Sequence, residues 1–312
     1  MNFPIKVPLR TLRSITSLVI ALITLSSVSS PARSNPDLQE LRTRIEQMIS
    51  SSGAEVVSLA FCDLSSGTEL LINPDVVFHA ASTMKVPVMI EVFRQASAGK
   101  FSLDDQLVLK NHFKSIVDGS TYSLSPADDS DQSLYARTGG KATIRELVHF
   151  MITVSSNLAT NILIERVGPE RVMTDIQRLG VKSMKVLRGV EDGKAFEKGL
   201  NNTTNARDLM VLLRAIGQKR AGSAADCDEM IKVLLDQKFN EGIPASLPAG
   251  VRVAHKTGSI TKIYHDAGII YAPDRPPYVL VVLTRGFADE QKAHDLVSAI
   301  SKLVYTAVTP SH

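Results

Sequence analysis

The feature that most constrains the fold is the placement of strand-like segments at both ends of the chain, with helical patterns between them. The strand-like segments are 56–64 and 69–72 near the start, and 251–256, 263–271 and 278–284 near the end. Apolar residues at helical spacing dominate the middle of the chain. This order predicts an α/β domain built from both termini, with an all-helical domain inserted into it.

The predicted boundaries follow from the same pattern. We assign 35–80 and 222–312 to the α/β domain and 81–221 to the helical domain. Within the latter, 185–202 shows no clear periodicity and is predicted to be a long surface loop, a type of segment that is often functional. The apolar share of 44% in 312 residues is enough to form a sizeable core.

Residues 1–34 have the composition of a secretory signal peptide. Basic residues precede the apolar run 15–28, and small residues follow it. We therefore expect export to the periplasm or the medium, with cleavage between Ser29 and Ser34. The alternative is an N-terminal membrane anchor, but the run is short and rich in Ser and Thr for a membrane span.

Charge narrows the class of partner. The whole chain has 35 basic and 32 acidic side chains, a net charge of +3. The 1–34 segment contains four of the basic side chains and no acid, so its removal leaves 31 against 32, a net charge of −1. No nucleic-acid partner is expected for such a chain. We also expect a monomer without stable membrane insertion.

The two cysteines allow two states. Cys62 lies in a strand-like segment and Cys227 in a helical one. They are more often unpaired, buried small residues than a disulfide when spacing gives no sign of proximity. Neither has C-x-x-C spacing, so a zinc or thioredoxin-type site is not indicated.

A Ser-x-x-Lys motif occurs at Ser82–Lys85, where the serine opens an apolar helix. Two further copies, Ser97–Lys100 and Ser259–Lys262, lack that context. On a helix, residues i and i+3 share a face, so the Lys85 amine can reach the Ser82 hydroxyl. A serine becomes a good nucleophile when a neighbouring base takes its proton, and burial or a second cation helps a lysine to be that base.

Two more motifs follow in a fixed order. Ser155-Ser156-Asn157 begins a helix, and Lys256-Thr257-Gly258-Ser259 ends a β-rich run. With Ser-x-x-Lys, they resemble the motif set of class A serine β-lactamases and penicillin-binding proteins. The resemblance extends over nearly the whole mature chain. It implies an α/β fold with an antiparallel sheet flanked by helices and an inserted all-helical domain.

The resemblance also implies roles for the acylation step. Ser82 would attack the β-lactam carbonyl, Lys85 would help to deprotonate it, and Ser155 would pass a proton to the departing ring nitrogen. The backbone N–H groups of Ser82 and Ser259 would form the oxyanion hole. No cofactor or metal is implied.

Substrate-binding roles come from the same source. Asn157 would hydrogen-bond the substrate's side-chain amide. Lys256 and Thr257 would bind its carboxylate, and Lys256 would also bias Lys85 toward the neutral form. Gly258 would leave room for substrate along the strand edge.

The sequence departs from the family pattern in two places. Ser156 stands where the middle motif usually has aspartate, a change that we expect to be tolerated. The deacylating glutamate is expected in the loop 185–202, and Glu191 is the best candidate because it closely follows Arg188. The spacing between Arg188 and Glu191 is one residue longer than usual in the family. The usual Leu-Asn does not follow Glu191 at the expected offset. Glu197 has a Leu-Asn at the right offset but lies late in the loop.

These departures leave three activities open. If Glu191 activates a water, the protein is a serine β-lactamase. If no loop acid reaches the acyl-enzyme, it is more like a D-alanyl-D-alanine carboxypeptidase or an esterase. A β-lactam sensor that stays acylated is a third possibility, but such receptors need a membrane-embedded signalling part.

Histidines give little support to a metal-dependent mechanism. The chain has seven, and none forms an H-x-H or H-E-x-x-H pair. His255, His265 and Asp266 flank the third motif, and we expect them to shape a site wall. Tyr122 and Ser259 are further candidates for that wall.

Overall fold

The computed structural model describes residues 1–5, 38–273 and 275–309. The chain divides into two compact units, Met1–Asn35 and Pro36–His312, and the description below concerns the second. The predicted cleavage window 29–34 lies outside the described residues. Within the described ranges, no helix is both long and apolar enough to cross a membrane.

The helices and strands have the following bounds. The helices are α1 (Leu38–Ser51), α2 (Lys85–Ser97), α3 (Ile144–Thr153), α4 (Asn157–Val167), α5 (Pro169–Arg178), α6 (Gly193–Glu197), α7 (Ala206–Gly217), α8 (Ala224–Leu235) and α9 (Glu290–Val308). The strands are β1 (Val56–Asp63), β2 (Glu69–Ile72), β3 (Phe78–His79), β4 (Gln106–Val108), β5 (Phe113–Lys114), β6 (Thr121–Tyr122), β7 (Lys141–Thr143), β8 (Thr203–Thr204), β9 (Arg252–Ile260), β10 (Ile263–Tyr271) and β11 (Tyr278–Arg285). Short 3₁₀ segments cover Ala81–Met84, Pro126–Asp128 and Tyr135–Arg137.

The main sheet joins strands from both ends of the chain. It has five strands in the order β2-β1-β11-β10-β9, and every neighbouring pair is antiparallel. The pairing of Val56 with Arg285 shows how the N-terminal strand meets the C-terminal one. The predicted α/β class with an antiparallel sheet is therefore confirmed, whereas the exact domain boundaries stay predictions.

The sheet is buried on both faces, which gives the protein two cores. Along β11, Val279, Val281 and Leu283 belong to the core shared with the helices of the middle region. Leu280 and Val282 alternate with them and belong to the core under α1 and α9. Because successive strand residues point to opposite faces, a strand covered on both sides is apolar throughout rather than alternating.

Both cysteines are free and buried, as predicted. Cys62 lies on β1 and Cys227 on α8. Burial raises the pKa of each thiol, which makes both poor nucleophiles at neutral pH. Neither cysteine is therefore a good candidate for a nucleophile.

Candidate active site

Ser82 lies in the 3₁₀ turn Ala81–Met84, and α2 begins only at Lys85. The prediction that an α-helix starts at Ser82 is wrong in this detail. The backbone of Ala81 has a φ of 46°, a left-handed conformation that turns the chain sharply just before the serine. Ser82 is partly exposed, while Lys85 is fully buried. A reagent can therefore reach the hydroxyl but not the amine.

The turn is pressed against the edge strand β9 at Gly258. A Cβ atom on Gly258 would lie 3.0 Å from Ser82 N and 3.1 Å from Thr83 N, closer than ordinary contacts allow. The glycine therefore permits the strand to approach the serine turn. This reason for the glycine differs from the expected one, which was space for substrate.

The backbone N–H of Ser82 stands out from those around it. The N–H of Ala81 donates to His79 Nδ1 at 3.0 Å, and that of Thr83 donates to Ala80 O at 3.1 Å. Within the described residues, the N–H of Ser82 has no such acceptor. A free amide next to an edge strand is what an oxyanion hole requires.

Lys85 is directed toward the second motif. Its Nζ donates to Ser155 O at 2.6 Å, to Ser155 Oγ at 3.1 Å and to Asn157 Oδ1 at 2.9 Å. Among the described residues, Ser82 is not one of its hydrogen-bond partners, contrary to the simple i, i+3 expectation. Burial lowers the pKa of Lys85 to about 7, against the opposing charges of Asp129 and Glu191. The amine is thus partly neutral near neutral pH.

Lys256 reaches the same hydroxyl from β9. Its Nζ donates to Ser155 Oγ at 3.1 Å and to Thr257 O at 2.8 Å. The side chain is fully buried, and burial together with the neighbouring Lys85 lowers the pKa of Lys256 well below its usual value. Ser155 has a φ of 58° between α3 and α4, which places its hydroxyl between the two amines. All three motifs therefore meet at one point.

The middle motif is set by the start of α4. Ser156 caps the helix, and its Oγ accepts the N–H of Ala159 at 3.3 Å. Asn157 is the first residue of the helix. Its amide bridges two segments, because Oδ1 accepts from Lys85 and Nδ2 donates to Glu191 Oε1 at 2.8 Å.

Of the two predicted loop acids, only Glu191 contacts the cluster. Its backbone φ is 60°, and the carboxyl is turned toward Asn157. Partial burial raises the pKa of Glu191, although the Asn157 hydrogen bond acts in the opposite direction. Glu197 is the exposed last residue of α6. The geometry thus favours Glu191 as the loop acid of the site.

Both neighbours of Glu191 are anchored by side chains that the sequence analysis missed. Asn161 Oδ1 accepts the N–H of Val190 at 2.6 Å, and its Nδ2 donates to Val190 O at 3.0 Å. Buried Asp192 accepts from Ser115 Oγ at 2.9 Å and from the N–H of Ile116 at 3.0 Å. The position of Asn161 four residues after Asn157, on one helix face, is a signal that could have identified it.

The base of the loop is closed by Arg188. This buried guanidinium donates to Leu200 O at 2.9 Å, to Gly189 O at 2.9 Å and to Asn201 Oδ1 at 3.1 Å. The partners are backbone carbonyls and an amide. The two ends of the loop are thereby held together without an ion pair to this arginine among the described residues.

Comparison with known proteins agrees with this site. The sequence profile of the "Beta-lactamase enzyme family" matches residues 40–308. The chain belongs to the beta-lactamase enzyme family. The resemblance predicted from three short motifs is therefore confirmed across the second unit.

Individual members are distant in sequence but similar over their full length. A beta-lactamase of Bacteroides uniformis is 27% identical over 302 residues, which are 93% of this chain and 98% of that protein. A crystal structure of a beta-lactamase from Sphaerobacter thermophilus DSM 20745 has 27% identity and a TM-score of 0.75, and covers 88% of this chain and 98% of that one. A mutant of PBP-A, solved as an acyl-enzyme complex with penicillin G, has 29% identity and a TM-score of 0.73, with coverage of 88% and 98%.

In this member of the beta-lactamase family, the residues flanking the third motif lie behind the site. His255, His265 and Asp266 are all fully buried, so any effect that they have on the site wall comes from behind it. His255 Nδ1 lies 2.8 Å from Asp266 Oδ1, and His265 Nε2 lies 3.0 Å from His79 O. They fix β9 and the serine turn from the interior.

The other two wall candidates lie nearer the surface. Tyr122 donates its hydroxyl to Val190 O at 3.3 Å, so it contacts the loop next to Glu191. Ser259 donates its Oγ to Glu290 Oε1 at 2.6 Å at the start of α9. Its side chain is therefore engaged on the outer side of β9, which leaves only its backbone for the predicted oxyanion hole.

Proposed function

We propose that this protein is an exported serine hydrolase that opens β-lactam rings through an acyl-enzyme on Ser82. The observation behind the proposal is the position of the Ser155 hydroxyl, 3.1 Å from both Lys85 Nζ and Lys256 Nζ. A hydroxyl between two buried amines, beside a partly exposed serine, suits proton transfer during acylation.

Acylation would proceed as follows. Neutral Lys85 accepts the hydroxyl proton of Ser82 while Ser82 Oγ bonds to the lactam carbonyl carbon. The N–H groups of Ser82 and Ser259 hold the developing oxyanion. The C–N bond then breaks, and Ser155, hydrogen-bonded to Lys85, delivers a proton to the ring nitrogen. The net result is transfer of one proton from serine to nitrogen.

Deacylation would depend on Glu191. As a carboxylate it accepts a proton from a water, whose oxygen bonds to the ester carbonyl. The bond to Ser82 Oγ then breaks, the proton that Glu191 took from the water passes to the serine oxygen, and Glu191 returns to the carboxylate. Partial burial raises the pKa of Glu191, which makes it a stronger base than an ordinary surface glutamate.

A mass spectrum after brief and long exposure to benzylpenicillin tests both steps. We expect wild type to show an adduct on Ser82 at short times and free protein at long times. Glu191→Gln should form the adduct at a similar rate and retain it, with release slowed at least about a hundredfold. Glu197→Gln is the matched control and should release product like wild type. Undiminished turnover by Glu191→Gln would contradict the assignment of the base.

A D-alanyl-D-alanine carboxypeptidase-like or esterase-like activity is the second candidate. Both ends of the Asn157 amide are occupied, by Lys85 and by Glu191, so the group expected to bind the substrate amide is already engaged. A mutant of PBP-A, which is 29% identical to this chain, was solved as an acyl-enzyme complex with penicillin G, and this candidate predicts such an adduct to persist here. Persistence of the wild-type adduct, together with release of D-alanine from an acyl-D-alanyl-D-alanine peptide, would favour this candidate.

Export is the remaining part of the proposal. It rests on the predicted signal peptide at 1–34. Fractionation of cells that express the full chain should place the activity in the periplasm or the medium. Activity that stays with washed membranes would favour the N-terminal anchor instead.

A further inference from the structure

A carboxylate from outside the three motifs sits on the first turn of α4. Asp129, 28 residues before Asn157, accepts the N–H of Asn157 with both oxygens, at 3.0 and 2.9 Å, and the N–H of Leu158 at 3.0 Å. Its side chain is buried, with 7% of the residue exposed. The mechanism described above assigns this group no role.

The location of this acid relates to the departure in the middle motif. The first N–H groups of a helix have no acceptor within the helix, and negative charge there is stabilising. Ser156, which replaces the aspartate of the motif, satisfies only the N–H of Ala159. The N–H groups of Asn157 and Leu158 are satisfied by Asp129. The carboxylate missing from the motif is thus replaced, at the helix start, by one from a distant loop.

The same loop reaches both proton-handling groups. Asp129 is the leading charge that raises the pKa of Lys85 against the effect of burial, and Glu191 acts in the same direction. The backbone of Ser125, four residues earlier, favours the charged form of the Glu191 carboxyl and so lowers its pKa. The other charged group at the cluster is Lys256, on the far side of the Ser155 hydroxyl.

Asp129 is itself held in place. The Tyr135 hydroxyl donates to its Oδ2 at 2.8 Å, and the N–H of Asp131 donates to its Oδ1 at 3.3 Å. The carboxylate therefore has partners from its own loop as well as from α4. An acid fixed from two sides can set the position of the helix start rather than follow it.

We propose that Asp129 is a positioning residue for the reaction, which fixes the start of α4 so that the Asn157 amide holds Lys85 and Glu191 in their places. The catalytic meaning of this inference rests on the proposed function. Its electrostatic part does not, because the charge of Asp129 raises the pKa of Lys85 whatever the substrate is.

Asp129→Asn tests the inference, because it keeps the side-chain size and removes the charge. The amide nitrogen cannot accept a hydrogen bond, so one of the two oxygens that accept the N–H of Asn157 is lost as an acceptor. We expect the maximal rate of acylation by benzylpenicillin to fall about tenfold. The midpoint of the rate against pH should move to lower pH, because Lys85 loses a charge that favours its cation. A merely structural role would lower the melting temperature without moving that midpoint.

A second measurement does not require any substrate. Lysines labelled with ¹³C at Cε can be titrated by NMR, with the Lys85 signal assigned by its loss in Lys85→Met. The Lys85 midpoint should be lower in Asp129→Asn than in wild type. An unchanged midpoint in the folded variant would overturn the inference. If wild type forms no adduct with benzylpenicillin, the proposed function fails, while this titration still decides the role of Asp129.

Three variants complete the design. Asp131→Asn removes an equal charge from the same loop and should leave rate and midpoint unchanged. Among the described residues, Asp131 forms hydrogen bonds only with Ser133 and, through its backbone N–H, with Asp129. Asp129→Glu keeps the charge and should keep the midpoint. If Asp129→Asn does not fold, Tyr135→Phe removes one anchor of the carboxylate and should slow acylation two- to fivefold. A wild-type rate in Tyr135→Phe would then contradict the inference.

Discussion

The motif cluster and the loop 185–202 are built in different ways. In the cluster, Lys85 and Lys256 are fully buried and belong to regular elements, α2 and β9. In the loop, Glu191 as a whole is exposed to solvent, although its carboxyl is partly buried, and its backbone has a left-handed conformation. Val190, before it, is held by a hydrogen bond from the Asn161 side chain. Asp192, after it, is held by a hydrogen bond that its carboxylate accepts from the backbone of another segment.

This difference separates the two proposed chemical steps. Acylation uses groups that the packing of helices and strands fixes, so it should tolerate changes in the loop 185–202. Deacylation uses a group that a few side-chain to backbone hydrogen bonds fix, so it should be sensitive to any of them. Changes to one region should therefore affect one step, and the following predictions test that separation.

Ser82→Ala should have the largest effect, because it removes the nucleophile of the cluster. We expect no adduct with benzylpenicillin and a loss of turnover of at least about a thousandfold. Ser97→Ala, which alters another Ser-x-x-Lys copy, is the matched control and should keep the wild-type rate. Adduct formation at another residue in Ser82→Ala would contradict the assignment of Ser82 as the nucleophile.

Asp192→Asn should damage the loop and leave the cluster intact. The side chain is buried and accepts hydrogen bonds from Ser115 and Ile116, so the loss of its charge frees the loop beside Glu191. We expect deacylation to slow by about ten- to a hundredfold, with acylation within about twofold of wild type. Stopped-flow measurement of nitrocefin separates the two rates.

The control for this variant lies nearby, where the turn between β5 and β6 contacts the loop 185–202. Asp118→Asn removes an exposed ion pair with Lys194 of α6. Since exposed pairs contribute little, both steps should stay near wild type. An equal loss of acylation in Asp192→Asn would mean that the two regions are not independent.

The pH dependence should also differ between the regions. Lys85 acts as a base only when neutral, and its pKa is about 7, so acylation should rise about tenfold from pH 6 to pH 8. Lys256 must keep its charge to bind a carboxylate. Its lowered pKa therefore predicts weaker binding of carboxylate substrates at the high end of this pH range. The amplitude and rate of the nitrocefin burst against pH measure both effects. A flat acylation profile would contradict the role of Lys85.

Glu91→Gln should have the smallest effect on activity and should act on stability. Glu91 lies on α2, is buried, accepts a hydrogen bond from Gln95 Nε2 at 2.6 Å, and is close enough to Asp175 to be affected by its charge. Burial and that neighbouring carboxylate raise the pKa of Glu91 from 4.5 to about 7. The unfolded chain therefore releases this proton at lower pH than the folded one. Stability should fall as pH rises from about 4.5 to about 7, and the fall should then stop.

The glutamine variant should not show this fall, because its amide can donate to Asp175 at every pH. We expect a gain of about 1–3 kcal/mol over wild type at pH 8 and a smaller difference at pH 5, measured by urea unfolding. The lowered pKa of Asp175 affects stability only near and below pH 3.8, outside this range. Glu197→Gln is the control for the loss of an acid at the surface. A constant difference at both pH values would contradict the raised pKa of Glu91.

Sequence patterns were most informative where a residue's neighbours along the chain decide its structure. The motif Ser155-Ser156-Asn157 was predicted to begin a helix, and α4 does begin at Asn157. The strand-like segment 263–271 is β10, with the same bounds. The same patterns could not detect the 3₁₀ turn at Ser82. That turn is accompanied by the close approach of Gly258, which is 176 residues away in the chain.

By itself, the sequence determined the order of elements and the three motifs that identify the family, because each depends on residues close together in the chain. The tertiary structure alone decided which groups face one another. It directs Lys85 to Ser155 rather than to Ser82, brings Glu191 into contact with Asn157, and brings Asp129 to the start of α4. The physical reason is that a hydrogen bond acts over about 3 Å, and residues far apart in the sequence reach that distance only when the chain has folded.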